Sequence, residues 1–442
     1  MNNPAHILCT YTLEEIIMVE YASMDAAQLQ QELSSLMQVY QDYQQMKLSL
    51  NMSRGRPAKE QMELSQGMLS CITPEDMTLE NGTDVRNYGV LEGIPEARRL
   101  MGELMGVSPE EVIVCGSSSL NIMYDLVSHA YTHGVYGGSK PWSKQENPKF
   151  LCPTPGYDRH FGITEYFGIE MINIPMTPTG PDMDLVEKYV NTDPTVKGIW
   201  CVPKYSNPQG ITYSDDTVRR FAALKPAADD FRIFWDNAYA VHDLYEDDQD
   251  HLLNLIEECK KLGSEDMVYE FFSTSKISFA GGGMAALAAS VNNIRHLSKQ
   301  FSVQTIGWNK LNMLMHVKFF KNREGVLNHM KKHAAIIRPK FHAVLDTLDQ
   351  EVTGIGSWKA PKGGYFISFD TMEGCAKRVV QLCKEAGVVL TGAGATYPYG
   401  KDPKDCNIRI APTSVSVDEL KLATTLFCLC VKIATVEKLL EK

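Results

Sequence analysis

Three short stretches of the sequence carry side chains that together could act on an amine and a carbonyl. Lys276 follows an apolar run in the segment Ser-Thr-Ser-Lys. Asp236 ends another apolar run, Tyr239 comes three residues later, and Asn207 opens an Asn-Pro-Gln-Gly turn. A lysine that is desolvated at a strand end has a lowered pKa, so its neutral amine could attack an aldehyde. In a ring that bears this aldehyde, a carboxylate could keep a ring nitrogen protonated, and an amide and a phenol could bind a ring oxygen. The set predicts a pyridoxal phosphate site, with Lys276, Asp236 and Tyr239 as candidate catalytic residues.

Each of these residues also has an ordinary structural interpretation. A lysine at a strand end is usually a solvated surface group, an aspartate there often only ends the strand, and Asn-Pro-Gln-Gly is a turn sequence. The order of the stretches favours the chemical interpretation. Each lies at the end of a strand-like run, and ligands of α/β proteins bind at the carboxyl ends of parallel strands.

Hydroxyl-rich turns supply candidate ligands for a phosphate group. Ser117 and Ser118 lie between a predicted strand and a predicted helix, where backbone N–H groups at a helix N-terminus favour phosphate. Ser273 and Ser275 flank the lysine segment, and glycines 281–283 follow it. For the first pair, a hydroxyl N-cap without any ligand is the alternative.

Arg409 is the candidate for binding a substrate carboxylate. It alternates with Ile408 and Ile410, so the two isoleucines would lie on one face of a strand and the arginine on the other. If that second face borders the cleft, the guanidinium could bind a carboxylate through two parallel hydrogen bonds. If it does not, Arg409 is a solvated strand arginine, which is the commoner case.

Composition narrows the class of protein. A chain of 442 residues suggests two domains. The net charge of −11 argues against broad nucleic-acid binding, which needs a basic face. No apolar run is long enough to span a membrane, and the first 23 residues lack the basic residues of a targeting signal. Eleven cysteines without a CxxC pair indicate a reducing compartment, so we expect a cytoplasmic protein. We also expect no metal site.

Seven short apolar runs separated by helix-length segments predict a mostly parallel α/β sheet. These runs are Val112–Cys115, Phe150–Cys152, Met171–Ile174, Gly198–Val202, Arg232–Trp235, Val268–Phe272 and Ala285–Ala289. The chain after them predicts a second, smaller α+β domain. We expect a disordered tail at residues 1–23, a helix and connecting arm at 24–84, a large cofactor-binding domain at 85–338 and a small domain at 339–442.

The motifs as a set resemble the fold-type I pyridoxal-phosphate-dependent aminotransferases, and among these the aspartate aminotransferases called type Ic. The resemblance covers roughly residues 25–440. It rests on the segments Arg54–Pro57, Asp84–Gly89, Leu91–Arg98, Ser118–Asn121, Pro155–Phe161, Lys204–Pro208, Asp236–Tyr239, Ser273–Lys276 and Asn407–Pro412.

The resemblance implies a seven-stranded, mostly parallel sheet between helices, and a role for each matching residue. Lys276 would hold the cofactor and move the substrate proton, Asp236 would bind the ring nitrogen, and His160 would support Asp236. Asn207 and Tyr239 would bind the ring oxygen, and Tyr157 would stack on the ring. The phosphate would be bound by Ser117, Ser118, Ser273, Ser275 and, from the other subunit of a homodimer with shared active sites, Tyr88. Arg409 and Asn207 would bind the substrate's α-carboxylate end, and the segment that contains Arg54 and Gly55 would line the substrate side.

One position departs from the broader family. Relatives carry an arginine eight residues after the lysine that pairs with the phosphate, whereas this chain has Met284. The type Ic subgroup shares such an apolar residue, so the departure does not imply loss of activity. Lys204 and Arg54 are candidate cations that could compensate.

The resemblance is less specific for substrate than for fold. We expect transfer of an amino group between aspartate or glutamate and 2-oxo acids, with Arg54 or Arg56 binding the second carboxylate. An aminotransferase for another donor, such as alanine or an aromatic amino acid, is the alternative. Less expected are a lyase that uses the same cofactor and a regulator that senses it, since no helix-turn-helix pattern precedes Arg54.

Overall fold

A computed structural model describes residues 21–441 of the chain. The helices are α1 Ala26–Gln45, α2 Lys59–Glu63, α3 Pro95–Met105, α4 Ser119–His133, α5 Asp158–Tyr166, α6 Met183–Thr192, α7 Asp215–Ala222, α8 Leu255–Leu262, α9 Val291–Gln304, α10 Lys310–Phe320, α11 Arg323–Glu351, α12 Ala376–Glu385 and α13 Val417–Leu440. The strands are β1 Leu50–Asn51, β2 Val112–Val114, β3 Lys149–Thr154, β4 Glu170–Thr177, β5 Gly180–Pro181, β6 Val196–Cys201, β7 Arg232–Asp236, β8 Val268–Ser273, β9 Ala285–Ala289, β10 Gly356–Trp358, β11 Ile367–Thr371, β12 Val388–Val389 and β13 Asn407–Ile410.

The large sheet has the strand order β2-β9-β8-β7-β6-β3-β4-β5. Strands β8, β7, β6, β3 and β4 pair in parallel, whereas β9 is antiparallel to both of its neighbours. The prediction of a mostly parallel sheet is confirmed, and the seven apolar runs are seven of its strands. Every residue of β6, β7 and β9 is buried, which explains why these runs are mostly apolar. The eighth strand, β5, has two residues and therefore carried no pattern to recognise.

Helices cover both faces of this sheet. Buried residues of α4 and α9 pack against one face, and buried residues of α3, α7, α8 and α10 pack against the other. The parallel strands therefore end at a common edge between two layers of helices. This arrangement brings the residues that follow β7 and β8 together.

The C-terminal part has its own core around the antiparallel sheet β10-β11-β13. Helix α1 joins this core, because Leu29 and Tyr40 are buried in it and the Tyr40 hydroxyl donates to the Leu382 carbonyl at 2.8 Å. The arm after α1 pairs with the same region, since β1 runs parallel to β12. The N-terminal arm is thus bound to the C-terminal part of the chain.

The domain limits remain proposals. The boundary proposed between residues 338 and 339 falls inside α11, which runs without a break through Pro339. Of the tail expected at residues 1–23, residues 1–20 lie outside the described residues. Tyr21–Ser23 are helical, and the Tyr21 hydroxyl donates to Glu32 at 3.2 Å.

Between residues 21 and 441, no helix combines the length and apolar character that crossing a bilayer requires. In the same part of the chain, no group of three or more His, Cys, Asp or Glu side chains is placed to hold a metal ion.

Candidate functional site

A cavity of about 530 Å³ lies where β7 and β8 end, between the large sheet and the C-terminal part. The predicted residues on its wall are Arg54, Gly55, Arg56, Ser118, Tyr157, Asn207, Asp236, Tyr239, Ser273, Ser275, Lys276 and Arg409. His160, Ser117 and Tyr88 were also predicted and are not on this wall. A larger cavity of about 610 Å³ lies elsewhere, around Asn237 and Glu270, and among the predicted residues it includes only Lys204.

Lys276 lies in the turn that follows β8. Burial lowers the pKa of its amine, and the opposing attraction of Asp236 is the smaller effect. The Nζ atom is 5.1 Å from the centre of the Tyr239 ring. The nitrogen therefore lies in the same cavity as an acidic and a phenolic group. Its lowered pKa favours the neutral amine, which is the nucleophilic form.

Asp236 is the last residue of β7 and presents one oxygen without a partner. Its Oδ2 atom lies 3.0 Å from His160 Nε2, and the His160 ring stacks on Trp200 with 4.6 Å between ring centres. The Oδ1 atom is buried and has no hydrogen-bond partner. Because buried polar atoms are normally paired, this oxygen fits an N–H donor of a bound ring, such as a protonated pyridine. His160 therefore lies behind Asp236 and outside the cavity wall.

Two phenols and one amide lie on the same wall. Burial raises the pKa of Tyr157 to about 12 and raises the pKa of Tyr239 well above its ordinary value, so both phenols are neutral donors at pH 7. Asn207 precedes Pro208 across a cis peptide bond, and its side-chain oxygen accepts from Arg409 at 3.3 Å. This leaves the amide N–H₂ of Asn207 as a donor.

The serine-rich turns meet at one end of the cavity. Ser275 Oγ donates to the Ser117 carbonyl at 2.9 Å, and Ser273 Oγ lies 3.3 Å from Ser275 Oγ. An added Cβ at Gly283 would lie 2.9 Å from that carbonyl, so only glycine lets the turns approach this closely. Ser118 precedes the first residue of α4, which gives the cluster the N–H groups of a helix N-terminus. Ser117 contributes its backbone here, while its side chain is exposed.

The position that departs from the broader family is filled by a core residue. Met284 is 1% exposed and packs in the large core. Of the two compensating cations considered, Lys204 binds Asp243 at 2.8 Å away from this cavity, whereas Arg54 is on the cavity wall. Lys204 is therefore not placed to meet a ligand here.

Arg409 projects from β13 into the cavity and is 6% exposed. Its guanidinium carbon lies 4.9 Å from the Phe366 ring centre, and its Nη1 atom donates to Asp158 Oδ1 at 2.7 Å. Gly55 leaves room for the same ring, because an added Cβ at residue 55 would lie 2.4 Å from a Phe366 carbon. Gly55 thus contributes space to the site.

Sequence reasoning gave no role to several further wall residues, among them Ser119, Asp158, Arg159, Phe366 and Thr391. Asp158 and Arg159 stand between Tyr157 and His160, both of which were assigned, so their position was a usable signal. Phe366 and Thr391 come from the C-terminal part, and nothing in their local sequence marks them.

The turn that carries Lys276 rests on a buried histidine. His316 Nδ1 donates to the Asn312 carbonyl at 2.8 Å. Its Nε2 atom lies 2.9 and 2.8 Å from the hydroxyl oxygens of Thr274 and Ser278, within hydrogen-bond distance of both. Burial lowers the pKa of His316 to about 4. Sequence reasoning missed this support, since a single histidine on an apolar helix carries no signal.

We expect the protein to lose stability as the pH falls below about 6.5, because there the unfolded chain takes up a proton that folded His316 does not. The depressed pKa of His316 corresponds to a loss of about 2 kcal/mol in unfolding free energy between pH 7 and pH 5. Urea unfolding of His316→Gln at these two pH values should show a smaller loss. His251→Gln, at an exposed position, is the control and should keep the wild-type loss. An equal pH effect in His316→Gln and wild type would contradict this account.

Known proteins match this chain over nearly its full length. The model of the family described as "Aspartate amino-transferase" matches residues 23–442. An aspartate aminotransferase of Corynebacterium glutamicum is 44% identical over 392 residues, which are 88% of this chain and 90% of that protein. The crystal structure of an aspartate transaminase from the same species superposes with a TM-score of 0.92 at 42% identity and covers 95% of this chain and 99% of that one.

A more distant structure shows the fold alone. The α-aminoadipate aminotransferase of Thermus thermophilus superposes with a TM-score of 0.71 at 19% identity, covering 88% of this chain and 93% of that one. With the family model matched over nearly the full length and a relative at 44% identity, the chain belongs to the aspartate aminotransferase family.

Proposed function

We propose that this aminotransferase binds pyridoxal 5′-phosphate and transfers the amino group between aspartate or glutamate and 2-oxo acids. The observation that carries the proposal is the buried, unpartnered Oδ1 atom of Asp236 in the same cavity as the low-pKa amine of Lys276. When bound, the cofactor supplies an aldehyde and a cationic ring that accepts electrons. The rest of the chemistry falls to the protein's own side chains.

Each residue of the cavity has a separate task in this proposal. Lys276 Nζ would hold the cofactor through its aldehyde carbon, with loss of water. Once the substrate's amine has displaced it, the freed Lys276 amine would take the proton from the substrate Cα atom. Asp236 Oδ1 would accept from the ring nitrogen and keep its proton in place, with His160 orienting the carboxylate. Asn207 and Tyr239 would donate to the ring oxygen, and Tyr157 would pack on the ring face.

The phosphate would be bound by hydroxyls and helix N–H groups, with little help from cations. Ser118, Ser273 and Ser275 would supply hydroxyls. The turn that contains Ser117 would supply backbone groups. Of the two compensating cations considered, Arg54 is the one on the wall, and it could replace the arginine that is absent at Met284.

The choice of an acidic donor is supported by the number of arginines on the wall. Arg409 would bind the α-carboxylate, and the exposed Arg54, Arg56 and Arg159 are available for a second carboxylate. Three cations would favour aspartate and glutamate, whose side chains carry a second carboxylate, over alanine or an aromatic amino acid, whose side chains carry none. Transfer from alanine or an aromatic amino acid is the second candidate function.

A homodimer with shared active sites is part of the proposal. Tyr88 is 81% exposed in a single copy of the chain, and it was expected to reach the phosphate bound in the other subunit. Beside its loop lies the segment that contains Val303 and Ile306, which are 90% and 64% exposed. The two segments are tied by Lys310, which donates to the Gly89 carbonyl at 3.0 Å. A second copy covering this apolar face would bring Tyr88 to its partner's cavity.

A reducing, cytoplasmic location is also proposed. All ten cysteines between residues 21 and 441 are unpaired, and most of them are buried. Free buried thiols of this kind are typical of proteins kept in a reducing environment.

The decisive experiment is a single turnover of the purified protein loaded with the cofactor. Aspartate alone should convert the cofactor to its amine form with release of one oxo acid, and 2-oxoglutarate should restore the starting spectrum. A lyase would release ammonia and leave the cofactor unchanged. A panel of donors with 2-oxoglutarate would then rank aspartate and glutamate against alanine and aromatic amino acids. A clear preference for a neutral donor would contradict the proposed substrate.

Arg409→Ala should raise the KM of every amino donor by about tenfold to a hundredfold, the usual cost of losing hydrogen bonds to a charged group. The visible absorption of the bound cofactor should not change, because Arg409 is assigned to the substrate. Arg409→Lys keeps the charge but loses the planar fork, and its KM should fall between those of wild type and Arg409→Ala. An effect confined to acidic donors would instead assign Arg409 to the side-chain carboxylate.

A further inference from the structure

The ion pair between Arg409 and Asp158 joins two residues of the cavity wall. Asp158 is the first residue of α5, and its side chain is about one-third exposed, whereas that of Arg409 is almost completely buried. Their atoms Oδ1 and Nη1 are 2.7 Å apart. A carboxylate therefore already lies against the guanidinium that is proposed to bind the substrate's carboxylate.

The remaining nitrogens of Arg409 show which edge a ligand can reach. The Nε atom is buried from solvent and has no partner. Nη2 has one long contact, 3.5 Å to the Thr391 hydroxyl. A carboxylate that enters through the cavity would therefore meet Nη1 and Nη2. Nη1 is the atom that donates to Asp158 at 2.7 Å and, at the longer distance of 3.3 Å, to Asn207 Oδ1. The aspartate occupies part of the place that a bidentate ligand needs.

We propose that Asp158 is an internal competitor for Arg409, which a substrate carboxylate must displace on binding and which returns when the product leaves. This inference rests on the proposed function. In a two-step amino transfer, Arg409 must bind and release a carboxylate in each step, first of an amino acid and then of an oxo acid. An aspartate that pairs with the guanidinium keeps it oriented between steps. It also opposes a second anion at the same place, since like charges a few ångströms apart repel.

The helix that carries Asp158 favours this arrangement. A carboxylate in the first turn of a helix is stabilised by the helix dipole, so Asp158 remains a stable anion after it is displaced. The same situation recurs at Asp215, the first residue of α7, whose carboxylate pairs with Arg219 at 3.3 Å on the surface. Asp215 therefore offers a matched control outside the cavity.

The test measures binding of succinate, a dicarboxylate that has no amino or oxo group, to the protein loaded with the cofactor. Asp158→Asn removes the charge but keeps an oxygen that can accept from Nη1. Calorimetry should give a Kd for succinate about threefold to tenfold lower than that of wild type, with a parallel fall in the KM of aspartate and 2-oxoglutarate. Asp215→Asn should bind succinate with the wild-type Kd. Thermal unfolding of both variants measures the stability that each helix loses when the aspartate in its first turn is no longer charged.

Two results would overturn the proposal. A higher Kd in Asp158→Asn would mean that the carboxylate orients Arg409 and aids binding, and an unchanged Kd would mean that the contact has no part in it. In an Arg409→Ala background the gain from Asp158→Asn should shrink, because the competition needs the guanidinium. Wild-type protein that binds succinate but transfers no amino group would contradict the proposed function and leave this test intact.

Discussion

Replacing Lys276 with alanine should reduce turnover by about four orders of magnitude or more, because the variant loses both the nucleophile and the group that moves the substrate proton. It should also lose the visible absorption that a lysine-bound cofactor gives. The measurement is a spectrum of the purified protein with added cofactor, followed by turnover with aspartate and 2-oxoglutarate.

The variant should remain folded. Burial lowers the pKa of the Lys276 amine, so the protein spends free energy to keep this group out of water, and its removal should not destabilise the chain. Lys401→Ala, at an exposed position, is the control and should keep the wild-type spectrum and rate. Wild-type turnover in Lys276→Ala would refute the assignment of this lysine.

Replacing Asp236 with asparagine should lower kcat by about a hundredfold to a thousandfold, as the loss of a preorganised electrostatic partner commonly does. Asparagine has nearly the same shape and can still contact His160, but it has no charge to hold a proton on the ring nitrogen. The cofactor should still bind to Lys276, so its visible absorption should persist. This separates the variant from Lys276→Ala.

Asp243→Asn is the matched control for Asp236→Asn. Asp243 also carries an ion pair, with Lys204 at 2.8 Å, but lines the other cavity. Its replacement should leave kcat within a few-fold of wild type. If both variants lost activity equally, Asp236 would have a structural role only.

The residues that sequence alone could place are those at strand ends. Asp236 ends β7 and Lys276 follows β8, and parallel neighbouring strands bring their ends to one edge whatever the loops between them do. Continuous apolar runs marked these strands, because both faces of the sheet are covered. The wall of the cavity on the sheet side therefore followed from local patterns.

The residues that sequence could not place depend on contacts between distant parts of the chain. Arg409 and Asp158 are 251 positions apart, and neither local sequence indicates the other. Lys204 was a reasonable candidate cation until the structure paired it with Asp243. The proposed domain boundary at Pro339 lies inside a helix of 29 residues, whose first part packs in the core of the large sheet and whose last part packs in the C-terminal core.

The space left by Gly55 restricts how the donor preference of this enzyme could be re-engineered. Any side chain at residue 55 would push the Phe366 ring, and that ring lies beneath the guanidinium of Arg409. Substitution at 55 would therefore disturb the proposed binding of the α-carboxylate by Arg409, a group that all amino acids share. Residues 54 and 56 are exposed at the cavity mouth and can be exchanged without moving that ring. Libraries for new donors are best built on these two flanking positions, with the glycine between them kept.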